Sequence, residues 1–211
     1  MVRLTTAHYY TPSGRCIQKP YTDGVDAYQK DYIKRIENGE LFSKDSITEN
    51  KTQKFATKIS NRVVYGGGGV MPDVFIPLDT SKYYAYYNKL SQKNVVYTGV
   101  LDIMDTNRDV FKQKYSDFKT FNLKYEVSDE MIGKIIAAGD KEGVKGDEKS
   151  IEFARPLMKR QMKALIARDL FSVSHYFQVM NGDDSTIRKA MEVLTQKGAY
   201  EKILPGKQTN L

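Results

Sequence analysis

The amino-terminal stretch of residues 1–18, MVRLTTAHYYTPSGRCIQ, is rich in β-branched and aromatic side chains, and these alternate along the chain with a period of two. Such alternation predicts a strand over residues 2–10. Thr11-Pro12-Ser13-Gly14 then predicts a type I turn, with Pro at its second position and Gly at its fourth. Because the strand pattern begins at once, with no cap or leader before it, we expect the chain to be a piece of a longer protein.

A second stretch, GGGGVMPDVFIP at residues 66–77, places four glycines between two short strand patterns, Arg62–Tyr65 and Asp73–Ile76. A phosphate-binding loop would continue from its glycines into Lys-Ser/Thr and a helix. Here Val-Met-Pro-Asp and a strand pattern follow instead. The glycines therefore predict a turn whose backbone needs a positive φ or a close approach to another strand.

These two stretches resemble segments of the carboxyl-terminal processing proteases, which are tail-specific serine peptidases. Residues 4–18 follow that family's pattern L-T-x-A-x-Y-Y-T-P-S-G-R-x-I-Q, and residues 66–77 are similar to its G-I-x-P-D-x-x-V segment. The resemblance covers residues 2–18 and 62–78, with 19–61 as an insertion. It implies a scaffold role near the active-site sheet for the residues that match the motifs: Tyr9, Tyr10, Thr11, Pro12, Ser13, Gly14, Arg15, Gly69, Pro72 and Asp73.

The resemblance also implies an acyl-enzyme mechanism run by a Ser–Lys pair, an upstream PDZ domain that recognises substrate carboxyl termini, and a location in the periplasm or cell envelope. The family's catalytic Ser lies in a Ser-Ala turn and its Lys in a Phe-Gly-Lys-Gly motif, and neither motif occurs in these 211 residues. We therefore expect no catalytic residue in the chain, and no activity from it alone. Protein or peptide substrates would be reached through the full-length enzyme.

Composition excludes several classes of protein. With 40% hydrophobic and 28% charged residues the chain has a globular composition, and it has no apolar run long enough to span a bilayer. The net charge of +7 comes from cations interleaved with acidic residues, and no nucleic-acid-reading motif is present, so we expect no specific nucleic-acid partner. The single Cys16 excludes an internal disulfide.

From Thr80 onward the pattern is helical. Tyr83, Tyr87 and Leu90 fit one helix, Val95–Tyr115 a second, and Ser128 caps a third whose buried face holds Met131, Ile132, Ile135 and Ile136. The pattern then predicts a long helix over 147–181, with a stripe of Ile151, Ala154, Met158, Met162 and Leu165, and with Pro156 as a kink or as its true start. A last helix opens at Asp184 or Ser185 with Ile187, Met191 and Leu194 inside, and the tail from Pro205 is expected to fray.

The predicted fold class is thus α+β. Residues 1–78 would form the carboxyl-terminal part of a protease catalytic sheet, and residues 79–211 a helical domain. Within the insertion, the pattern predicts a helix over Asp26–Asn38, which either covers part of the core or forms a lid over substrate.

Four groups of side chains are weighed as sites. Asp73 and Arg15 are candidates either to pair with each other or to cap turns in the motif, and no proton-transfer role is visible for them. Ser13 with Lys19 suggests a Ser–Lys dyad, but the turn alone explains Ser13. His8 and His175 have no neighbours at metal-ligand spacing, so we expect neither a metal nor a cofactor. The tyrosines of residues 83–87 fit a binding surface and a half-buried domain junction equally well.

Two functions therefore stay open beside the protease fragment. One is a non-catalytic domain that binds a protein partner through its helices, and the other is a basic nucleic-acid binder. If residues 2–10 form a strand without their neighbours, we also expect copies of the chain to associate through that edge.

Overall fold

The computed structural model describes residues 6–47, 53–79 and 84–204 of the 211. By contacts the chain divides into one unit of Ser81–Lys189 and another of Met1–Thr80 with Ala190–Leu211. The predicted domain ranges 1–78 and 79–211 stay a prediction. Tyr83, residues 2–5 of the predicted first strand and the tail from Pro205 lie outside the described residues.

Most of the described chain is helical, and one small antiparallel sheet accompanies the helices, so the coarse α+β class is confirmed. The elements are helix α1 (Val25–Glu37), a 3-10 turn (Lys44–Ser46), strands β1 (Lys54–Ala56) and β2 (Val63–Tyr65), and helices α2 (Ala85–Gln92), α3 (Val95–Lys114), α4 (Phe118–Lys124), α5 (Asp129–Lys141), α6 (Glu148–Leu170), α7 (Val173–Asn181), α8 (Ser185–Thr195) and α9 (Ala199–Ile203).

Two strand predictions are wrong for the residues that the structure describes. Residues 6–9 carry no strand, because the turn at 11–14 reverses the chain and leaves Tyr10 alone to pair, with Cys16. Residues 73–76 carry none either, since Pro72 and Pro77 remove backbone donors on both sides. The sequence also gave no sign of β1, which lies in the predicted insertion and pairs with β2 in the register Phe55 opposite Val64.

Helix starts follow the local chemistry of capping. The side chains of Asp117, Ser128 and Asp147 accept hydrogen bonds from backbone amides at the first turns of α4, α5 and α6, at 2.8, 3.3 and 2.7 Å. Asp184 does the same for α8, with 2.7 and 3.1 Å to the amides of Thr186 and Ile187. The cap predicted at Ser128 is confirmed.

The core of the helical unit forms around α6, which contacts α2, α3, α5 and α7. Its predicted stripe is confirmed: Ala154, Met158, Met162 and Leu165 are buried, and Ile151 packs partly buried against them. On α5, Ile132 and Ile135 are fully buried, with Met131 and Ile136 packed beside them. The largest fully buried side chains are Phe121, Leu90, Met104, Ile132, Ile135, Met158, Met162 and Ile166.

Two helical predictions are corrected. The long helix predicted over 147–181 breaks at Phe171 and Ser172, which separate α6 from α7, and Pro156 lies inside α6 rather than at its start. On α8 the predicted inner residues Ile187, Met191 and Leu194 are exposed by 38, 55 and 66%. The stripe has the spacing of a buried face, but no described residue covers it enough to bury it.

In the described ranges, none of the helices combines the length and the apolar content that crossing a membrane requires.

A first prediction uses two methionines in different surroundings. Met162→Ala removes a fully buried side chain of α6 and should lower the free energy of unfolding by about 2–5 kcal/mol, through lost apolar burial and the cavity that remains. Met191→Ala makes the same change on the exposed face of α8 and should alter it by less than about 0.5 kcal/mol. Denaturant unfolding followed by circular dichroism measures both. Equal losses would show that α8 buries Met191 after all.

A second prediction concerns acid. The hydrogen bond from Lys159, at 2.8 Å, and the nearby charges of Lys159 and Arg155 lower the pKa of Asp129 below its ordinary value of 3.8. A lowered pKa in the folded state stabilises the fold above the unfolded-state pKa, and the effect disappears as the pH falls through the folded value. Asp129→Asn should therefore be less stable than the parent at about pH 6, and the difference should shrink below about pH 3.

Glu130→Gln is the matched control, because Glu130 stands in the same first turn and, among the described residues, its ion-pair partner is Lys134 of its own helix, at 2.9 Å, in exposed surroundings. Its effect on unfolding should be small, because the ion pair that it removes is exposed to solvent. A difference for Asp129→Asn that is the same at about pH 3 and pH 6 would contradict the ion-pair account.

Candidate functional site

The first motif forms a tight hairpin. Tyr10 and Cys16 pair as an antiparallel bridge, and the amide of Thr11 donates to the carbonyl of Arg15 at 2.9 Å. The amide of Gly14 donates back to the carbonyl of Thr11 at 2.8 Å, with Gly14 at φ +82°. The turn predicted at residues 11–14 is confirmed, and Gly14 is the residue that its backbone conformation requires.

Ser13 stabilises this turn. Its hydroxyl lies 2.9 Å from the hydroxyl of Thr11, which in turn donates to the carbonyl of Arg15 at 3.2 Å. Lys19, the other member of the dyad considered from the sequence, forms an ion pair with Asp31 instead. Ser13 and Lys19 thus have separate partners, Thr11 and Asp31, and within the described residues no hydrogen bond joins the two.

The glycine segment binds back to the hairpin. The amides of Gly67 and Gly69 donate to the carbonyls of Cys16 and Ile17 at 3.0 and 2.8 Å. The guanidinium of Arg15 donates to the carbonyl of Tyr65 at 3.2 Å, across 50 residues of sequence. The two stretches that carry the protease resemblance therefore form one hydrogen-bonded cluster.

Glycine is required in this segment for both predicted reasons. A Cβ at Gly66 would stand 2.9 Å from the Phe55 ring and 3.0 Å from the Gln53 side chain, whereas Gly67 and Gly69 adopt φ values of +75° and +92°. Since the amides of Gly67 and Gly69 already donate to carbonyls, they are not available to a phosphate group. The segment is a structural turn.

The remaining motif residues lie at the border of the cluster. Asp73 pairs with Arg62, so the ion pair considered from the sequence between Asp73 and Arg15 is replaced by this one. Tyr9 and Tyr10 are exposed by 85 and 66%. Pro12 is exposed at the turn, and Pro72 is exposed in the loop before Asp73.

The histidines and Cys16 form no catalytic arrangement in the described part of the chain. His8 is exposed, with its Nδ1 3.9 Å from the thiol of Cys16. The Nδ1 of His175 lies 2.9 Å from the hydroxyl of Ser172 at the start of α7, and the His175 ring centroid is 4.2 Å from that of Phe118. Among the described residues, no group of three His, Cys, Asp or Glu side chains is placed to hold a metal ion.

The helical unit contains concave surfaces that sequence analysis did not locate. A groove of about 470 Å³ lies beside α3 and the start of α5, over the rings of Phe111, Tyr115 and Tyr125. Its charges are of both signs, and Lys134 pairs there with Glu130 at 2.9 Å. Burial raises the pKa of Tyr125 far above its ordinary value, so this phenol stays neutral.

A second cavity, of about 270 Å³, is lined by residues of α2, α3, α6 and α7 and of the α2–α3 turn: Tyr87, Ser91, Asn94, Val96, Tyr97, Gln161, Leu165, Arg168 and Tyr176. The sequence singled out Tyr87 as one of a tyrosine cluster and did not connect it with Arg168. Their meeting in one cavity depends on helix packing, which a sequence pattern does not show.

A comparison with protein families gives a match within the helical unit. Residues 86–172 match a family model described as a family of unknown function (DUF8443). The comparisons with curated proteins and with solved structures gave no match.

A third prediction tests the glycine segment. Gly69→Ala puts a side chain on a residue at φ +92° with nothing within 4 Å to clash, so its cost is conformational and should be about 1–2 kcal/mol. Gly68→Ala, at the neighbouring position without a positive φ, should be nearly neutral. Hydrogen exchange of the Gly67 amide measures the effect and should speed up in the first variant only. Similar exchange rates in both variants would show that the positive φ is not needed.

Proposed function

We propose that this chain is a non-catalytic part of a carboxyl-terminal processing serine endopeptidase, in which it supports the active site. The observation that carries the proposal is the joining of its two motif segments. The segments that match the family pattern are far apart in sequence, yet Gly67 and Gly69 donate to the carbonyls of Cys16 and Ile17. Two unrelated chance resemblances would have no reason to meet in this way.

The packing of the motif-bearing part, residues 6–47 and 53–79, supports the same proposal. Every buried apolar side chain among the described residues lies between Tyr86 and Ala167. In residues 6–47 and 53–79, large apolar side chains are instead exposed, among them Tyr9, Ile17, Ile59 and Val70. A sheet fragment that packs against the rest of a catalytic domain would have this character, because its apolar face needs a partner surface.

In the proposed enzyme, a serine outside this chain attacks the scissile carbonyl and a neutral lysine accepts its proton. The residues of this chain do none of that chemistry. The hairpin at Tyr10–Cys16 and the glycine segment fix one another through backbone hydrogen bonds, and when packed against the rest of the enzyme they would keep neighbouring reactive groups within productive distances. Protein or peptide chains are the substrates, and the periplasm or cell envelope is the location, in line with the resemblance.

A non-catalytic interaction domain is the second candidate, and the groove of about 470 Å³ favours it, since its size suits a bound ligand or a side chain of a partner. The coding sequence distinguishes the two. An in-frame segment that precedes Met1 and encodes a Ser-Ala turn followed by Phe-Gly-Lys-Gly would support the peptidase. A start codon at Met1 would favour the interaction domain.

The same proposal suggests that copies of the chain associate through residues 2–10. Residues 6–9 do not form the strand on which that expectation was based, and association stays a prediction that light scattering can test.

A fourth prediction follows for activity. The 211-residue chain should not cleave an unfolded protein such as casein, and a serine-directed phosphonate should not label Ser13, whose hydroxyl is paired with that of Thr11. A longer protein that includes the upstream Ser and Lys should cleave the same substrate, and replacing either residue should abolish cleavage. Mass spectrometry of the labelled chain and a peptide-release assay measure both outcomes.

Ser13→Ala is the control for this experiment. Turnover by the 211-residue chain that is lost in Ser13→Ala would place the nucleophile inside the chain and overturn the proposal. Inactivity of the longer protein with Ser and Lys intact would also contradict it.

A further inference from the structure

The cavity lined by α2, α3, α6 and α7 has an unusual balance of charge. Arg168 is the one charged residue among those that line it, and no Asp or Glu is among them. Other arginines of the helical unit are paired: Arg108 with Asp169, Arg155 with Asp129 and Arg160 with Asp183. Within the described ranges, no carboxylate forms an ion pair with Arg168. The cavity therefore presents an uncompensated cation.

Neutral hydrogen-bonding groups surround this cation. The hydroxyls of Tyr87 and Tyr176 and the side chains of Ser91 and Asn94 line the same cavity. The Tyr176 hydroxyl accepts a hydrogen bond from the amide nitrogen of Gln161 at 3.0 Å and donates one to the amide oxygen of Gln161 at 3.2 Å. Burial raises the pKa of Tyr87, so its phenol keeps its proton and can donate it. The side chains of Tyr87, Ser91 and Asn94 can donate hydrogen bonds to an anion, and the Tyr176 hydroxyl can do so when its proton turns from the Gln161 oxygen to the anion.

The guanidinium of Arg168 contacts a ring. It lies 5.1 Å from the centroid of Tyr97, a distance that fits a cation–π contact. A cation–π contact uses none of the N–H groups as a hydrogen-bond donor to oxygen, so they remain available to a carboxylate, which can accept two parallel hydrogen bonds from a guanidinium.

The cavity also has apolar walls. Val96 and Leu165 are exposed by only 3 and 5%, and the ring of Tyr97 continues this surface. Its volume of about 270 Å³ suits a group about the size of one large side chain. One cation beside such walls fits an anion of single charge attached to an apolar or aromatic group, because a doubly charged phosphate would stay partly uncompensated.

We propose that this cavity binds a carboxylate carried beside an apolar or aromatic side chain, either in a free acylated amino acid or in the carboxyl-terminal residue of a peptide. Arg168 forms the ion pair, the hydroxyls of Tyr87 and Tyr176 add hydrogen bonds, and Val96, Leu165 and Tyr97 contact the apolar group. This inference goes beyond the proposed function and does not depend on it, since all the residues lie in the helical unit.

The test titrates the full 211-residue chain with N-acetyl-L-phenylalanine and, separately, with the peptide acetyl-Ala-Ala-Phe. Each probe is used with a free carboxylate and as its amide. Phenyl phosphate is titrated as well, to compare a phosphate with a carboxylate on an aromatic group. Methyl NMR signals of Val96 and Leu165 report binding in the cavity itself. We expect saturable shifts with the carboxylates, at least about tenfold weaker binding of the amides, and weaker binding of phenyl phosphate.

Variants then assign the anion's partner. Arg168→Gln should weaken carboxylate binding at least about tenfold. The affinity of Arg168→Lys should lie between those of Arg168→Gln and the parent, because lysine keeps the positive charge but lacks the two parallel N–H donors of a guanidinium. Arg188→Gln makes the same charge change on an arginine exposed by 60% and should leave binding unchanged. If Arg168→Gln does not fold, Tyr176→Phe replaces it and should weaken binding by a few fold.

Each outcome bears on the proposal. Binding of the peptide without the free amino acid, or the reverse, supports it and identifies the source of the carboxylate. Equal binding of carboxylate and amide, tighter binding of phenyl phosphate, unchanged binding by Arg168→Gln, or no shift with any probe would overturn it. None of these outcomes depends on whether the longer protein is a peptidase.

Discussion

Burial of one face of α6 is the constraint on which the helical unit depends. Met158, Met162 and Ile166 lose all contact with solvent along this helix, and α2, α3, α5 and α7 supply the surfaces that cover them. Because apolar burial is the main favourable term in folding, the positions of the surrounding helices follow from the need to cover this stripe. The cavity that holds Arg168 lies where α6 and its neighbours leave space between them.

The motif-bearing part is held by different forces. Its described residues are linked by backbone hydrogen bonds between Cys16 and Gly67 and between Ile17 and Gly69, and by ion pairs such as Arg62–Asp73, with no buried apolar side chain. Hydrogen bonds of this kind fix geometry more than they stabilise, since water offers the same groups similar bonds. This difference is why the proposed function relies on how the segments meet rather than on a catalytic group.

Sequence patterns predicted what is local and missed what depends on neighbours. The cap at Ser128, the turn at residues 11–14 and the buried stripe of α6 follow from short-range chemistry, and the structure has them. The spacing of apolar residues in α8 showed which face of the helix is apolar. It did not show that this face stays exposed, because burial depends on whether another helix or loop packs against it. The break at Ser172 and the three-residue strand β1 are too short for a periodic signal. The pairing of Asp73 with Arg62, and the cavity around Arg168, depend on packing between distant residues.

The contact between Arg15 and Tyr65 closes a loop of 50 residues. Closing a loop costs conformational entropy, and this cost rises with the logarithm of the loop length. It does not depend on which kind of contact joins the two ends. In the helical unit, α3 and α6 are separated by a similar length of chain, but buried side chains offset the cost. In the motif cluster only a few hydrogen bonds do so. Transient local opening should therefore begin at the glycine segment while the helices stay closed, and a protease that samples such openings would cut there first.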